Sequence, residues 1–114
     1  MGQENIMFMA TVPDVGVIAI SATAHANLET IKNEYGHNFN TLTVVNNSTE
    51  ELEIFLDGRS FGFVNSNRGG LSFDWEDGIK FDDIQIKNLN TINDTSANEI
   101  RIIVGRTGKA NNGN

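Results

Sequence analysis

The 114-residue chain has no cysteine, one proline and only eight basic residues. The absence of cysteine excludes disulfide frameworks, thiolate metal sites and thiol nucleophiles. The net charge of -7 argues against a nucleic-acid binder, because affinity for phosphate needs clustered positive charge. No apolar run approaches the roughly 20 residues of a membrane span, and no basic signal-peptide region is found. We therefore expect a protein made in a cytoplasm, with no membrane span and no nucleic-acid partner.

What the chain does have is asparagine and a period-two hydrophobic pattern. Its sixteen asparagines suit turns and polar sheet surfaces, since the short amide bonds to nearby backbone and tolerates positive φ. From Thr41 to Val104 the apolar residues recur at every second position, as in strands with one buried face. Six such runs at about ten-residue spacing indicate a sandwich or a barrel. We take an all-β, antiparallel, jelly-roll-like β-sandwich as the expected fold.

The clearest local prediction is a β-hairpin over residues 52–64. Asp57 and Gly58 form the dipeptide that a two-residue hairpin turn favours, because both of its central positions have positive φ. The alternation on the returning strand predicts that Phe61 and Phe63 face the core.

The first forty residues fit the pattern less well. Residues 15–24 are strongly apolar and predict a strand that is buried on both faces, whereas residues 26–35 allow a strand or a helical turn, and we favour the strand. The expected organisation is a single domain over residues 1–105, with residues 1–14 as a candidate N-terminal arm. Residues 106–114 are rich in glycine and asparagine and predict a flexible tail.

Five acidic residues within one short stretch are candidate calcium ligands. Calcium binds six to eight oxygens, but their spacing does not match a twelve-residue EF-hand loop. The alternative is a solvated turn that keeps a sheet edge soluble. We therefore expect no cofactor, with calcium as the alternative. The candidate ligands are Asp74, Glu76, Asp77, Asp82 and Asp83.

Trp75 and Tyr35, the only residues of their kinds, are candidates for a sugar-stacking platform. The alternation with Leu71 and Phe73 instead predicts that Trp75 is a core residue. The two histidines, at positions 25 and 37, belong to no metal-binding motif, and no nucleophile motif or phosphate-binding loop is present. We therefore predict no catalytic residue. A small cupin-like metalloenzyme is disfavoured, because the required ligand spacing is missing.

Over residues 41–105 the sequence resembles small β-sandwich virion proteins of tailed and icosahedral bacteriophages. Four features carry the resemblance: an Asn-Asn-Ser turn at residues 46–48, an Asp-Gly hairpin at 57–58, a Gly-Gly loop at 69–70 and a terminal strand at 99–105 with the sequence EIRIIVG. The first forty residues are not covered by this resemblance.

The resemblance implies a structural protein of a virion, in the capsid, decoration, spike or tail. It also implies no catalytic residues, and as partners both copies of itself (a trimer, pentamer or larger ring) and other virion proteins. A carbohydrate- or calcium-dependent binding module is the second hypothesis. An apolar N-terminal segment could add to the sheet edge of a neighbour or bury a self-complementary face; an inner strand of the monomer is the alternative. The candidate interface residues are Met7, Phe8, Met9, Val15, Val17, Ile18, Ile20, Phe55 and Ile103.

Overall fold

Residues 5–109, the part of the chain that the computed structural model describes, form eight strands and one short helix. The strands are β1 (Asn5–Thr11), β2 (Thr23–His25), β3 (Thr41–Asn46), β4 (Leu52–Leu56), β5 (Arg59–Val64), β6 (Gly69–Phe73), β7 (Ile84–Asn88) and β8 (Ile100–Lys109). The helix α1 spans Glu29–Tyr35, and a 3-10 turn spans Trp75–Asp77. No helix in this part of the chain has the length and apolar character needed to cross a membrane.

The strands pair as one long hairpin that has been rolled up. The first sheet has the order β1-β8-β3-β6 and the second has the order β2-β7-β4-β5. All pairs are antiparallel, and β1 pairs with β8, β2 with β7, β3 with β6, and β4 with β5. The first strand thus pairs with the last, the second with the second to last, and so on inward. This is the strand pairing of an eight-stranded jelly roll. The structure confirms the all-β antiparallel sandwich.

Alternating side chains from the central strands fill the space between the two sheets. On β4, Leu52, Ile54 and Leu56 are buried, whereas Glu53 and Phe55 are half-buried on the opposite face. Each fully buried Leu or Ile contributes about 1.5–3 kcal/mol, and a one-residue slip would turn all of them towards solvent. The pattern therefore fixes the register as well as the fold. The other strands contribute Leu42, Val44, Val64, Phe73, Ile84, Ile86, Ile100, Ile102 and Val104 to this core.

The connections divide between the two ends of the sandwich. One end, which we call the loop end, consists of residues 12–22, 47–51, 65–68 and 89–99. The other, which we call the helix end, consists of residues 26–40, 57–58 and 74–83, and contains α1 and the 3-10 turn. Backbone hydrogen bonds join the connections at each end, such as Asn47 N to Glu99 O at 2.8 Å and Asp57 N to Asp83 O at 3.0 Å.

The predicted strand over residues 15–24 is wrong, because only Thr23–His25 is a strand and residues 12–22 form a loop. Gly16 and Ser21 have φ values of 76° and 57°, which a strand does not tolerate. The amides of the loop bond to another loop instead of to a sheet, since Ile18 N donates to Thr95 Oγ1 at 2.8 Å. The apolar run therefore supplies one core side chain, Ile18, and leaves much of the rest exposed.

The predicted strand over residues 26–35 is also wrong, because α1 occupies most of that segment. Leu28 and Ile31 are three residues apart and both are buried, so the helical spacing decides the structure. The last carbonyls near α1 are bound from the first sheet: Arg106 Nη2 donates to Tyr35 O at 3.1 Å and also to His37 O. A guanidinium at this position satisfies carbonyl groups that a helix end leaves free.

Residues 5–11, within the candidate N-terminal arm, form β1 of the first sheet. The predicted flexible tail needs correction within the described residues. Residues 106–109 continue β8, where the sequence suggested a flexible tail, and Arg106 pairs with Phe8. Residues 1–4 and 110–114 of the predicted arm and tail lie outside the residues that the structure describes.

The hairpin over residues 52–64 is confirmed, and Asp57 and Gly58 have the expected positive φ values of 52° and 83°. The inward prediction for its two phenylalanines is wrong. A register shift after Ile54 places Gly62 opposite that residue, which turns Phe63 outward with 60% exposure. Phe61 is 36% exposed and leans against Phe73 at the sandwich edge, with 5.2 Å between the ring centroids. An unpaired residue at such a bulge reverses the alternation.

Candidate functional site

Three aliphatic side chains are exposed at the loop end and form what we call the loop-end apolar cluster: Val17, Ile20 and Ile92. Their exposed fractions are 58%, 43% and 76%. They lie on residues 12–22 and 89–99, which are hydrogen-bonded to each other. Ile20 N donates to Asp94 Oδ1 at 2.9 Å, and Thr95 N donates to the Ile18 carbonyl at 3.0 Å. The aliphatic groups are thus held on ordered backbone, which favours recognition of a partner.

Asn88, at the end of β7, holds these two loops together. It is fully buried, and its Nδ2 donates to the carbonyls of Ile18 at 3.1 Å and Asn93 at 2.9 Å. Its Oδ1 accepts from Asn90 N at 2.9 Å. One amide therefore satisfies three backbone groups from both loops.

Asn46, at the end of β3, does the same for the other two loops of the loop end. This buried side chain donates from Nδ2 to the carbonyls of Glu50 at 2.7 Å and Asn65 at 3.1 Å. Its Oδ1 accepts from Ser48 N at 3.0 Å. The two sheets thus end on equivalent asparagines, and part of the high asparagine content serves to fix the loop end.

Five of the predicted interface residues are at least partly exposed at the surface. Met9 is 60% exposed on β1, and Val17 and Ile20 belong to the loop-end apolar cluster. Phe55 and Ile103 are half-buried on the outward faces of the second and first sheets.

The remaining predicted interface residues are less available. Ile18 is 2% exposed and belongs to the core, so it is not a surface for a partner. Phe8 and Val15 are partly buried and pack against that core. Met7 lies in β1, and its side chain is outside the described residues.

Two of the three acidic calcium candidates around the 3-10 turn, Asp74 and Asp77, bond to its own backbone. Asp74 Oδ1 accepts from Glu76 N at 3.0 Å, and Asp77 Oδ2 accepts from Asp74 N at 2.9 Å. This reciprocal arrangement is a capping box, which stabilises the start of a helical turn. It uses one oxygen of each of the two aspartates.

The other two calcium candidates bind other groups at the helix end. Asp82 Oδ1 accepts from Asn38 N at 2.7 Å and lies 3.6 Å from His37 Nδ1. Asp83 Oδ1 accepts from Lys32 Nζ at 2.9 Å. Within residues 5–109, no group of three or more His, Asp or Glu side chains could hold a metal ion.

The two predicted sugar-stacking residues have different surroundings. Tyr35 stacks on Phe8, with 4.3 Å between the ring centroids and 9° between the planes, and Arg106 Cζ lies 5.5 Å from the centroid of the same Phe8 ring. The core prediction for Trp75 is wrong, because β6 ends at Phe73 and the 3-10 turn leaves the indole 46% exposed.

Trp75 lines a depression of about 510 Å³ on the outward face of the first sheet. Met9 of β1 and Thr41 of β3 also line it, and both pair with Gly105 of β8. A β-carbon on Gly105 would lie 2.3 Å from the Phe8 carbonyl oxygen and 2.7 Å from Thr41 Oγ1. The middle strand therefore contributes no side chain to this row of the sheet, and the depression lies there. We call it the Trp75 depression.

Thr41 is the unusual member of this row. It is only 6% exposed, yet its buried Oγ1 has no hydrogen-bond partner. A buried hydroxyl without a partner costs about 1–3 kcal/mol, so a native structure usually gives it one. No signal in the sequence indicated this group, because burial on the outward face of a sheet depends on the neighbouring strands.

The chain matches no protein-family model, and no curated protein or solved structure matches it. The strand order and the contacts above therefore carry the functional argument.

Proposed function

We propose that the protein is a non-enzymatic structural component of a bacteriophage particle, which acts through contacts between its own copies and with other virion proteins. The loop-end apolar cluster is the observation that carries this proposal. Val17, Ile20 and Ile92 expose aliphatic surface on loops whose backbone is already fixed, so little conformational entropy is lost when a partner covers them.

The fold and the charge distribution support a second copy of the chain as the partner at the loop end. Jelly rolls serve as building blocks of viral capsids, although the fold alone does not determine function. The helix end has eight carboxylates and two lysines, and the loop end has five carboxylates and one arginine. The repulsion is therefore greater between two helix ends than between two loop ends. Contact through the loop end keeps the more acidic ends apart while it buries the aliphatic groups.

Light scattering on the purified chain after size exclusion tests the oligomer. We expect a mass that is a multiple of 12.5 kDa at micromolar concentration, and Ile92→Lys should shift it towards one chain. Covering an isoleucine contributes about 1.5–3 kcal/mol, so the loss should weaken each contact roughly 10- to 100-fold. Thr30→Lys, which adds the same charge on an exposed position of α1, is the matched control. A 12.5 kDa monomer for the unaltered chain would contradict the proposal.

The virion location needs a separate test. We expect the chain in gradient-purified phage particles at a fixed ratio to the major capsid protein, measured by quantitative mass spectrometry. An oligomer in solution together with absence from such particles would keep the assembly role and overturn the virion location. Calcium is not part of the proposal, since no metal-binding group occurs among residues 5–109.

A further inference from the structure

We propose that the Trp75 depression binds a neutral glycan, with one hexose ring stacked on the indole of Trp75. Its volume of about 510 Å³ lies within the range of about 300–1,000 Å³ that is common for ligand sites. The proposal does not depend on the assembly role.

The apolar part of the site is formed by Trp75 and Met9. Both line the depression, with 46% and 60% of their surfaces exposed. The face of an indole carries partial negative charge, and the C–H groups on one face of a hexose ring carry partial positive charge. An exposed indole beside hydrogen-bonding groups therefore suits a sugar better than a purely apolar ligand.

Two carboxylates beside the indole have an oxygen left for the ligand. Asp74 uses Oδ1 and Asp77 uses Oδ2 in the capping box of the 3-10 turn. The second oxygen of each can accept a hydrogen bond from a sugar hydroxyl, and bonds to a charged acceptor are the stronger kind. The capping box also fixes the orientation of both carboxylates before the ligand arrives.

Hydroxyl groups supply the other side of the site. Thr41, Thr43 and Ser72 line the depression from β3 and β6, and Thr43 pairs with Ser72 across the sheet. Hydroxyls can both donate and accept, as the hydroxyls of a sugar do. Thr41 Oγ1 is the strongest pointer to a ligand, because it is buried without a partner next to Met9, whose flexible side chain can move aside.

The charges around the site select the class of sugar. Among the described residues that line the depression, Asp74 and Asp77 are charged and no Lys or Arg occurs, so an anionic sugar or a phosphate is repelled. A quaternary ammonium ligand typically needs a cage of several aromatic rings, whereas Trp75 is the only exposed aromatic side chain among the lining residues that the structure describes. A neutral hexose satisfies the carboxylates, the hydroxyls and the indole together.

Tryptophan fluorescence measures this binding directly, because Trp75 is the single tryptophan of the chain. The probes are the methyl glycosides of glucose, galactose, mannose and N-acetylglucosamine, with tetramethylammonium chloride as the cationic comparison. We expect a saturable change in emission with at least one glycoside. Thr41→Val and Ser72→Ala should each weaken its binding about five- to tenfold, as expected for one lost hydrogen bond. Thr30→Val, on the exposed side of α1, is the matched control and should bind as the unaltered chain does.

Thr41→Val also separates a ligand-binding role from a structural one. Because it replaces an unpartnered hydroxyl with a methyl group of the same shape, its melting temperature should equal or exceed that of the unaltered chain, while glycoside binding falls. No saturable response to any of the four glycosides would overturn the proposal. It would also be overturned by a response to tetramethylammonium alone, or by glycoside binding that both variants leave unchanged.

Discussion

Asn88→Asp tests whether one buried amide holds the loop end together. The change preserves the shape of the side chain and the oxygen that accepts from Asn90 N. It replaces the amide nitrogen that donates to the carbonyls of Ile18 and Asn93 with an oxygen that repels both. One buried and one part-buried hydrogen bond are lost, and a carboxylate is buried with only the Asn90 amide as its partner. At about 1–1.5 kcal/mol for each bond, with the further cost of the unpaired groups, we expect a loss of about 3–5 kcal/mol at neutral pH.

The pH dependence of this loss identifies its cause. Burial beside two carbonyl oxygens raises the pKa of the introduced carboxyl above its unfolded value of about 3.9. The folded variant then holds a proton that the unfolded chain releases, so the loss is largest at neutral pH and shrinks as the pH falls through the folded pKa. The protonated carboxyl can also donate one of the two missing hydrogen bonds.

Urea unfolding of Asn88→Asp, Asn88→Ala and Asn90→Asp at neutral and mildly acidic pH measures the effect. The alanine variant should lose a similar amount of stability relative to the unaltered chain at every pH, since it has no group to titrate. Asn90→Asp is the matched control, because its Oδ1 accepts from Ile92 N and Asn93 N and a carboxylate accepts the same two bonds. If Asn88→Asp costs less than about 1 kcal/mol, or if its loss grows towards acidic pH, the assignment of the three hydrogen bonds is wrong.

Substitutions of two other side chains, one buried and one that bridges two elements, should change the stability in opposite directions. Glu50 is 1% exposed; its Oε2 accepts from Thr49 Oγ1, whereas its Oε1 has no partner. Glu50→Met should therefore raise stability by about 1–2 kcal/mol in urea unfolding, and a loss would show that the bond from Thr49 outweighs the cost of burying the charge. Arg106→Lys should lower stability by about 1–2 kcal/mol, because a lysine cannot reproduce the planar guanidinium that binds Tyr35 O and His37 O and lies over Phe8. An unchanged melting temperature would contradict that role.

Sequence periodicity predicts the strands that are buried on one face and little else. Apolar residues recur at every second position within residues 41–46, 52–56 and 84–88, and each of these segments is a strand in the structure. The Asp57-Gly58 turn follows from backbone preference alone, so it too was predictable. The jelly roll is formed by pairs of strands that are far apart in the sequence, such as β1 with β8. These pairs depend on contacts between distant residues, which no local pattern contains.

The errors have three identifiable physical causes. Residues 12–22 are apolar but bond to a loop about 77 positions later in the chain, which local alternation cannot show. A single bulge after Ile54 reverses the inward and outward positions that alternation assigned to Phe61 and Phe63. The assignment of Trp75 to the core extended the alternation past the end of β6, although Asp74 and Asp77 have the spacing of a capping box and so indicated a helical start.

The sites of the two proposals lie in different regions of the molecule, so one copy can use both sites at the same time. The loop-end apolar cluster involves residues 12–22 and 89–99, whereas the Trp75 depression adjoins the 3-10 turn of the helix end. Contact between copies at the loop end therefore leaves the depression open on each copy. A shallow site with one aromatic ring and a few hydroxyls holds a single sugar weakly, but several sites on one oligomer raise the local concentration of a branched glycan. Such avidity can exceed the affinity of one site by about 100- to 10,000-fold, so assembly would turn a weak sugar contact into attachment to a surface.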